Sequence, residues 1–186
     1  MVTGYDRTPS VSEMVDRAGG GSGVAERRGA AYVLAGLRVV VGFTFLWAFL
    51  DKLFGWGFAT PSERSWLNGG SPTKGFLSGA EGLFRGFWTA IAGDAWTNWA
   101  FMLGLAAIGV ALLLGVGMRV AAVAGALMYV MMWAVVLPPP NNPIVDDHIL
   151  GALVVVLLAL THAGDTLGLG RWWKSQPVVR RNRWLI

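Results

Sequence analysis

Cysteine is absent from the 186 residues. That excludes disulfides, cysteine-ligated iron–sulfur clusters, cysteine-attached haem and thiol chemistry by this chain. Histidine occurs only twice, too few for a self-contained multi-histidine metal centre. No metal, haem or iron–sulfur cluster is therefore expected, and electron transfer here would need a diffusible carrier or a partner subunit. Charge is scarce as well: 14% of residues are Asp, Glu, Lys or Arg, against 54% hydrophobic. Whole stretches carry no formal charge at all, namely 95–118, 120–137 and 148–164, while 29–50 is interrupted only by Arg38. A membrane-crossing helix needs roughly 20 apolar residues, with ~17 as the lower edge. The expected fold is an all-α integral membrane protein, a bundle of four transmembrane helices. The partner implied by this composition is the lipid bilayer.

The net charge of +4 and pI near 10 do not point to nucleic acid, because the basic residues gather beside the spans. Arg27 and Arg28 precede the first; Arg171, Lys174, Arg180, Arg181 and Arg183 follow the last. This is orientation signal and contact with anionic lipid. With the N-terminus inside, ten Lys and Arg lie on the inner side and four (Lys52, Arg64, Lys74 and Arg85) on the outer. The expectation is a multi-pass membrane protein with both termini cytoplasmic. The ten tryptophans suit the water–lipid boundary.

Residues 1–29 are polar and small, with a Gly-Gly-Gly-Ser-Gly run at 19–23. They bury too little apolar surface to offset ordering entropy and read as a disordered cytoplasmic tail. No apolar run precedes Ala30, so the first span is expected to be retained rather than cleaved as a leader. Residues 30–170 form the four-helix domain and 171–186 a basic cytoplasmic tail. The first span runs from about Ala30 to Leu50 or Phe54, the second from Trp96 to Gly115. Ala100/Gly104 and Ala107/Ala111/Gly115 place small residues at every fourth position, which lets helices approach closely in lipid. The third span ends at Pro138–Pro139–Pro140, and Gly164 is a candidate C-terminal cap for the fourth. In the first outer loop, Leu83, Phe84, Phe87, Trp88 and Ile91 recur at helical spacing within Gly79–Ala92, with Glu81 and Arg85 four apart on another face. This predicts an amphipathic interfacial helix, or equally a cap packed over the bundle mouth.

The chemistry-bearing candidates sit where charge is expensive. Asp51 and Lys52 close the first span, and Asp146, Asp147 and His148 open the fourth, all at the outer boundary in this topology. One aspartate serves as N-cap and Asp51–Lys52 could mark where the span meets water. Two carboxylates and a histidine exceed what capping needs, and such a histidine can exchange protons near neutral pH. Arg38 lies eight residues beyond Ala30, about 12 Å along the axis. It is either an interior ligand for an anion or quinone carbonyl, with Tyr129 as candidate buried partner, or a side chain that snorkels to the inner headgroups. His148 and His162 are about 21 Å apart along one helix and cannot share a metal.

Three segments carry a family resemblance: Leu37–Leu53 (LRVVVGFTFLWAFLDKL), Asn68–Leu77 (NGGSPTKGFL) and Asn142–His148 (NPIVDDH). Over about residues 31–170 the chain resembles the DoxX family of small bacterial membrane proteins, in particular its DoxD-like thiosulfate:quinone oxidoreductase subunits. The resemblance implies a four-helix membrane bundle, a link to a sulfur or respiratory redox system, and quinone as acceptor in the DoxD-like branch. Because the chain has no thiol, it would form the quinone-facing membrane half, with a second polypeptide doing the sulfur chemistry. Arg38, Asp51, Lys52, Asp146, Asp147 and His148 are then the candidate quinone and proton site. The alternative is a non-catalytic membrane scaffold that docks redox or stress-defence partners through the aromatic loop and basic tail, as a second subunit or homo-oligomer. A small transporter is the weakest reading, since no inverted repeat or paired broken helices appear.

Overall fold

The computed structural model describes residues 11–140 and 142–186, with side chains described from Gly23 onward. All regular structure among them is helical. Helix α1 spans Val11–Phe54, α2 Lys74–Ser78, α3 Arg85–Ala90, α4 Ala95–Leu114, α5 Met118–Val135, α6 Asp147–Leu160, α7 Gly170–Ser175 and α8 Pro177–Arg181. Three helical segments are long and apolar enough to cross a membrane: Gly23–Phe54, Ala95–Leu114 and Met118–Val135. The 14-residue α6 is equally apolar but shorter. Apolar side chains such as Val33, Val123, Leu153 and Leu160 point outward and are more than half exposed, as expected when the surrounding solvent is hydrocarbon.

Two antiparallel pairs make the bundle: α1 packs along α4, α5 along α6, and α4 against α5 joins them. The shared core consists of Phe45, Leu105, Ile108, Leu112, Met118, Met128, Val155 and Leu158. Close approach of α1 and α4 depends on glycine. A Cβ on Gly109 would stand 2.7 Å from the Leu46 main-chain nitrogen, and one on Gly42 2.9 Å from Leu113 N. Gly115, in the left-handed region at φ 73°, ends α4 and turns the chain into α5. Residues 55–94, 136–140 and 142–146 gather at one end, here the loop end. The 115–117 turn, residues 161–170 and the C-terminal helices gather at the other, the turn end.

Three expectations are revised. Residues 11–29, read as a disordered tail, continue α1 as helix; once a helix exists, propagation through Ala25–Arg28 gains one hydrogen bond per residue without a new nucleation cost. Residues 1–10 of that tail lie outside the described residues. The amphipathic helix over Gly79–Ala92 is found only as Arg85–Ala90. Gly82 breaks it at φ 69°, where a Cβ would meet the Leu137 carbonyl oxygen at 2.4 Å. Glu81 therefore lies outside the helix and forms no ion pair with Arg85. Finally, α6 stops at Leu160 with Thr161 as its C-cap. Gly164 instead packs on Gly115, its hypothetical Cβ only 2.4 Å from the Gly115 oxygen.

Candidate functional site

Arg38 is fully buried, and its surroundings are main-chain oxygens rather than an open chamber. Its Nη1 donates to the carbonyls of Leu112 and, at 2.9 Å, Leu113; its Nη2 donates to Leu167 O at 2.8 Å. A helix leaves its last four carbonyls without intrahelical partners. At the end of α4, Ala111 O is met by the Gly115 and Val116 N–H groups and Leu114 O by the Leu169 N–H. Arg38 is the donor to Leu113 O, shares Leu112 O with the Gly115 N–H, and adds positive charge at the negative helix end. Glycine makes room for it: Cβ atoms on Gly115 or Gly168 would each lie 3.1 Å from the guanidinium. Arg38 is thus a cap supplied from a neighbouring helix. It is separated from Asp51 by thirteen residues of one helix, about 20 Å, so the sequence-expected site does not close around both.

Tyr129 is not its partner either. Tyr129 stands edge-on to Phe45 at 5.0 Å between ring centroids and to His148 at 6.3 Å, and its ring lies over Gly151. It belongs with α6 near the loop end.

Asp51 is buried as well. Its carboxylate accepts the Phe58 N–H at 3.3 Å and the Ala59 N–H at 3.0 Å, which pins the chain as it leaves α1 through Gly55 and Gly57, both at positive φ. Asp146 is the N-cap of α6: Oδ1 accepts from the His148 and Ile149 N–H groups, and Oδ2 lies 2.6 Å from His148 Nδ1. Burial pushes the Asp146 carboxyl up, but the hydrogen bond and charge of His148, with the two main-chain donors, outweigh it and hold the group below the ordinary aspartate value. Asp147 is exposed on the first turn. The acidic–histidine cluster therefore resolves into one capping pair and one solvent-facing carboxylate.

Lys52 is the candidate that remains uncommitted. Among the described residues it forms no ion pair. It lines two cavities at the loop end, neither of which includes Asp146, Asp147 or His148. The first, about 310 Å³, is walled by aromatic and sulfur side chains, including Phe87, Trp88, Trp96, Phe101, Met128 and Met132. The Nε1–H of Trp88, which lines this pocket, is buried and has no acceptor. An orphaned donor of this kind is rare and calls for a partner. The second cavity, about 550 Å³, is polar and shares Lys52, Pro72 and Phe76 with the first.

Sequence reading passed over Asn98, which shapes both cavities from inside a charge-free helix. Its Oδ1 accepts from Ser71 Oγ, Thr73 N and Thr73 Oγ1 at 2.9, 3.2 and 2.7 Å, and its Nδ2 donates to Gly93 O. The signal was an amide in the first turn of an otherwise apolar helix. Among the described residues no group of three or more His, Asp or Glu could hold a metal ion. Compared with protein-family models, curated proteins and solved structures, the chain matches none.

Proposed function

We propose that this chain is a quinone-binding membrane subunit of the DoxX type, with four spans in a bacterial plasma membrane and both termini cytoplasmic. The observation that carries the reading is the apolar pocket at the loop end. It is lined by Lys52 and the hydroxyl-bearing Thr73 and Thr97 on otherwise apolar, largely aromatic and methionine walls, and the buried Nε1–H of its lining residue Trp88 has no acceptor among the described residues. Its volume is at the low end of small-molecule sites, ~300–1,000 Å³, and suits a single substituted ring. A quinone needs such a combination: flat apolar contact for the ring, and a hydrogen-bond donor at a carbonyl oxygen to fix its orientation. Lys52 supplies the charge-assisted donor, which also favours electron density arriving on that oxygen.

In this reading the quinone takes two electrons from a sulfur or respiratory donor oxidised by a second polypeptide, and two protons from the aqueous side. Asp146 and His148 open to water at the same end and are the exchangeable pair nearest that surface. The α6 helix, about 21 Å long, falls short of a ~30 Å hydrocarbon core. Local thinning of the bilayer accommodates the shorter span, which keeps Asp146 and His148 at its aqueous mouth.

The test is the quinone content of protein purified in mild detergent, extracted and quantified by mass spectrometry. Wild type is expected to retain quinone, and Lys52→Met and Trp88→Phe each to retain about tenfold less, the order expected for losing one donor to a buried acceptor. Equal retention in both variants, or no quinone in wild type purified from quinone-replete membranes, would overturn the reading.

A further inference from the structure

The polar cavity beside the quinone pocket has no part in that reading, yet it concentrates charge of one sign. Three cations reach it from three elements: Lys52 from the end of α1, Arg64 from the helical turn at 62–64, and Lys74 from the start of α2. Glu63 is the one carboxylate in its wall. The only ion pairs among the described residues are His148–Asp146 and Lys174–Asp165, so none of the three cations is held in an ion pair, although Asp51 attracts Lys52 at longer range. Three cations converging on one concavity with a single carboxylate in its wall repel each other, and an anion between them relieves that repulsion.

The concavity is built rather than incidental. Asn68 Nδ2 donates to Ser62 O at 2.8 Å, the Gly70 N–H donates to Ser65 O at 2.9 Å, and Ser71 Oγ donates to Asn98 Oδ1 at 2.9 Å. The loop closes so tightly that a Cβ on Gly70 would stand 2.0 Å from the Arg64 carbonyl oxygen. Apolar surface adjoins the cavity: Phe76 in its wall is 38% exposed, Leu67, next in sequence to the lining Asn68, is 65% exposed, and the neighbouring Trp66 stacks edge-on against Trp99 of α4 at 4.6 Å. A cationic well beside apolar surface, at one end of a membrane bundle, matches an amphiphile with an anionic head.

We propose that this cavity binds the phosphate of an anionic phospholipid headgroup, with the acyl chains leaving across Leu67 and Phe76. A phosphate diester presents several acceptor oxygens and one delocalised charge. Arg64 serves them through its planar fork, and Lys52 and Lys74 as point charges. Lys52 is shared with the apolar pocket, so a bound headgroup also holds the ammonium at the quinone's edge.

The full chain is reconstituted in nanodiscs containing equal phosphatidylglycerol and phosphatidylcholine, and lipid retained through detergent extraction is counted by native mass spectrometry. Phosphatidylglycerol is expected to be enriched over phosphatidylcholine. Arg64→Gln combined with Lys74→Gln is expected to lower its retention by about tenfold or more, given the usual contribution of each cation near anionic lipid. Arg85→Gln, at the same end but lining neither cavity, is the control and should match wild type. Absence of a preference for phosphatidylglycerol, or equal losses in the control and the double variant, would overturn the proposal. Inorganic phosphate distinguishes the source: displacement of retained lipid by phosphate supports recognition of the headgroup phosphate. Phosphate binding, seen by phosphorus NMR, in protein that retains no lipid would overturn the lipid assignment. Arg64 and Lys74 do not line the quinone pocket, so quinone content measured on the same samples separates failure of this proposal from failure of the other.

Discussion

Replacing Arg38 with methionine would keep much of its volume while leaving the carbonyls of Leu113 and Leu167 without donors in a buried crevice, and Leu112 O with only the Gly115 N–H. Each unsatisfied buried group costs on the order of 1–3 kcal/mol, so a loss of about 2 kcal/mol or more is expected, read as a lower thermal midpoint in detergent. Arg38→Lys should recover part of this, because an ammonium reaches some of the three oxygens but lacks the fork that spans them. The folded fraction of Arg38→Met should still hold quinone; loss of ligand without loss of stability would return Arg38 to the binding site. Asp146 invites a pH experiment. Its folded carboxyl lies below the ordinary aspartate value, so its stabilisation of the α6 terminus is present above that value and is lost as pH falls through the lower, folded one. Amide-exchange protection at His148 and Ile149 should therefore persist through the usual carboxylate range and collapse only on its acid side. In Asp146→Asn the amide oxygen can still cap the helix, and the same protection should lose that acid step.

Glycines of similar sequence context have opposite roles on the helices, and substitution should show it. Gly109→Ala forces a methyl to within 2.7 Å of the Leu46 nitrogen across the α1–α4 contact, whereas Gly36 on α1 has nothing within 4 Å of its hypothetical Cβ. Overpacking costs typically ~1–3 kcal/mol, while an unhindered helical Gly→Ala change gains ~0.5–1 kcal/mol. Thermal unfolding should place Gly109→Ala below wild type and Gly36→Ala at or above it; equal midpoints would remove the glycine-dependent contact as a determinant. The contrast shows what was legible in the chain. Hydropathy located α4 and α5 to within two residues, because lipid-facing helices must be apolar throughout. It could not say which small residues touch which neighbour, and the 100/104 and 107/111/115 spacing missed Gly109. The site divided in the same way. That Asp146 or Asp147 caps α6 was readable from their place before an apolar run, though not that it is Asp146. That Arg38 would be consumed by carbonyls of a helix seventy residues away was not, since no local pattern records where a distant helix ends. Lys52 was singled out beside Asp51, but the pocket it serves is made by loop residues whose folding depends on Asn98.

At the scale of the whole bundle, the outstanding quantity is how many times the chain crosses the bilayer, and the absence of cysteine makes it directly measurable. Three crossings by α1, α4 and α5 alone would leave everything after α5 on the same side as residues 55–94. Four crossings would return the C-terminal helices to the side of the 115–117 turn. The hydrogen bonds favour the second arrangement: the Leu169 N–H reaches Leu114 O, Arg38 reaches Leu167 O, and the Arg119 N–H reaches Ile186 O. Together they tie the segment after α6 to the turn end, some 20 Å or more from the loop end along helices of this length. Single cysteines introduced as Ser78→Cys, at the end of α2, and Ser175→Cys, at the end of α7, provide the readout with a membrane-impermeant maleimide. In intact cells Ser78→Cys should label and Ser175→Cys should not, the latter reacting only once the membrane is permeabilised. The excess of Lys and Arg at the turn end sets that direction. Labelling of both positions from outside would reduce the protein to three crossings, place the basic C-terminal helices on the outer surface and remove the antiparallel return of α6 on which the proposed bundle depends.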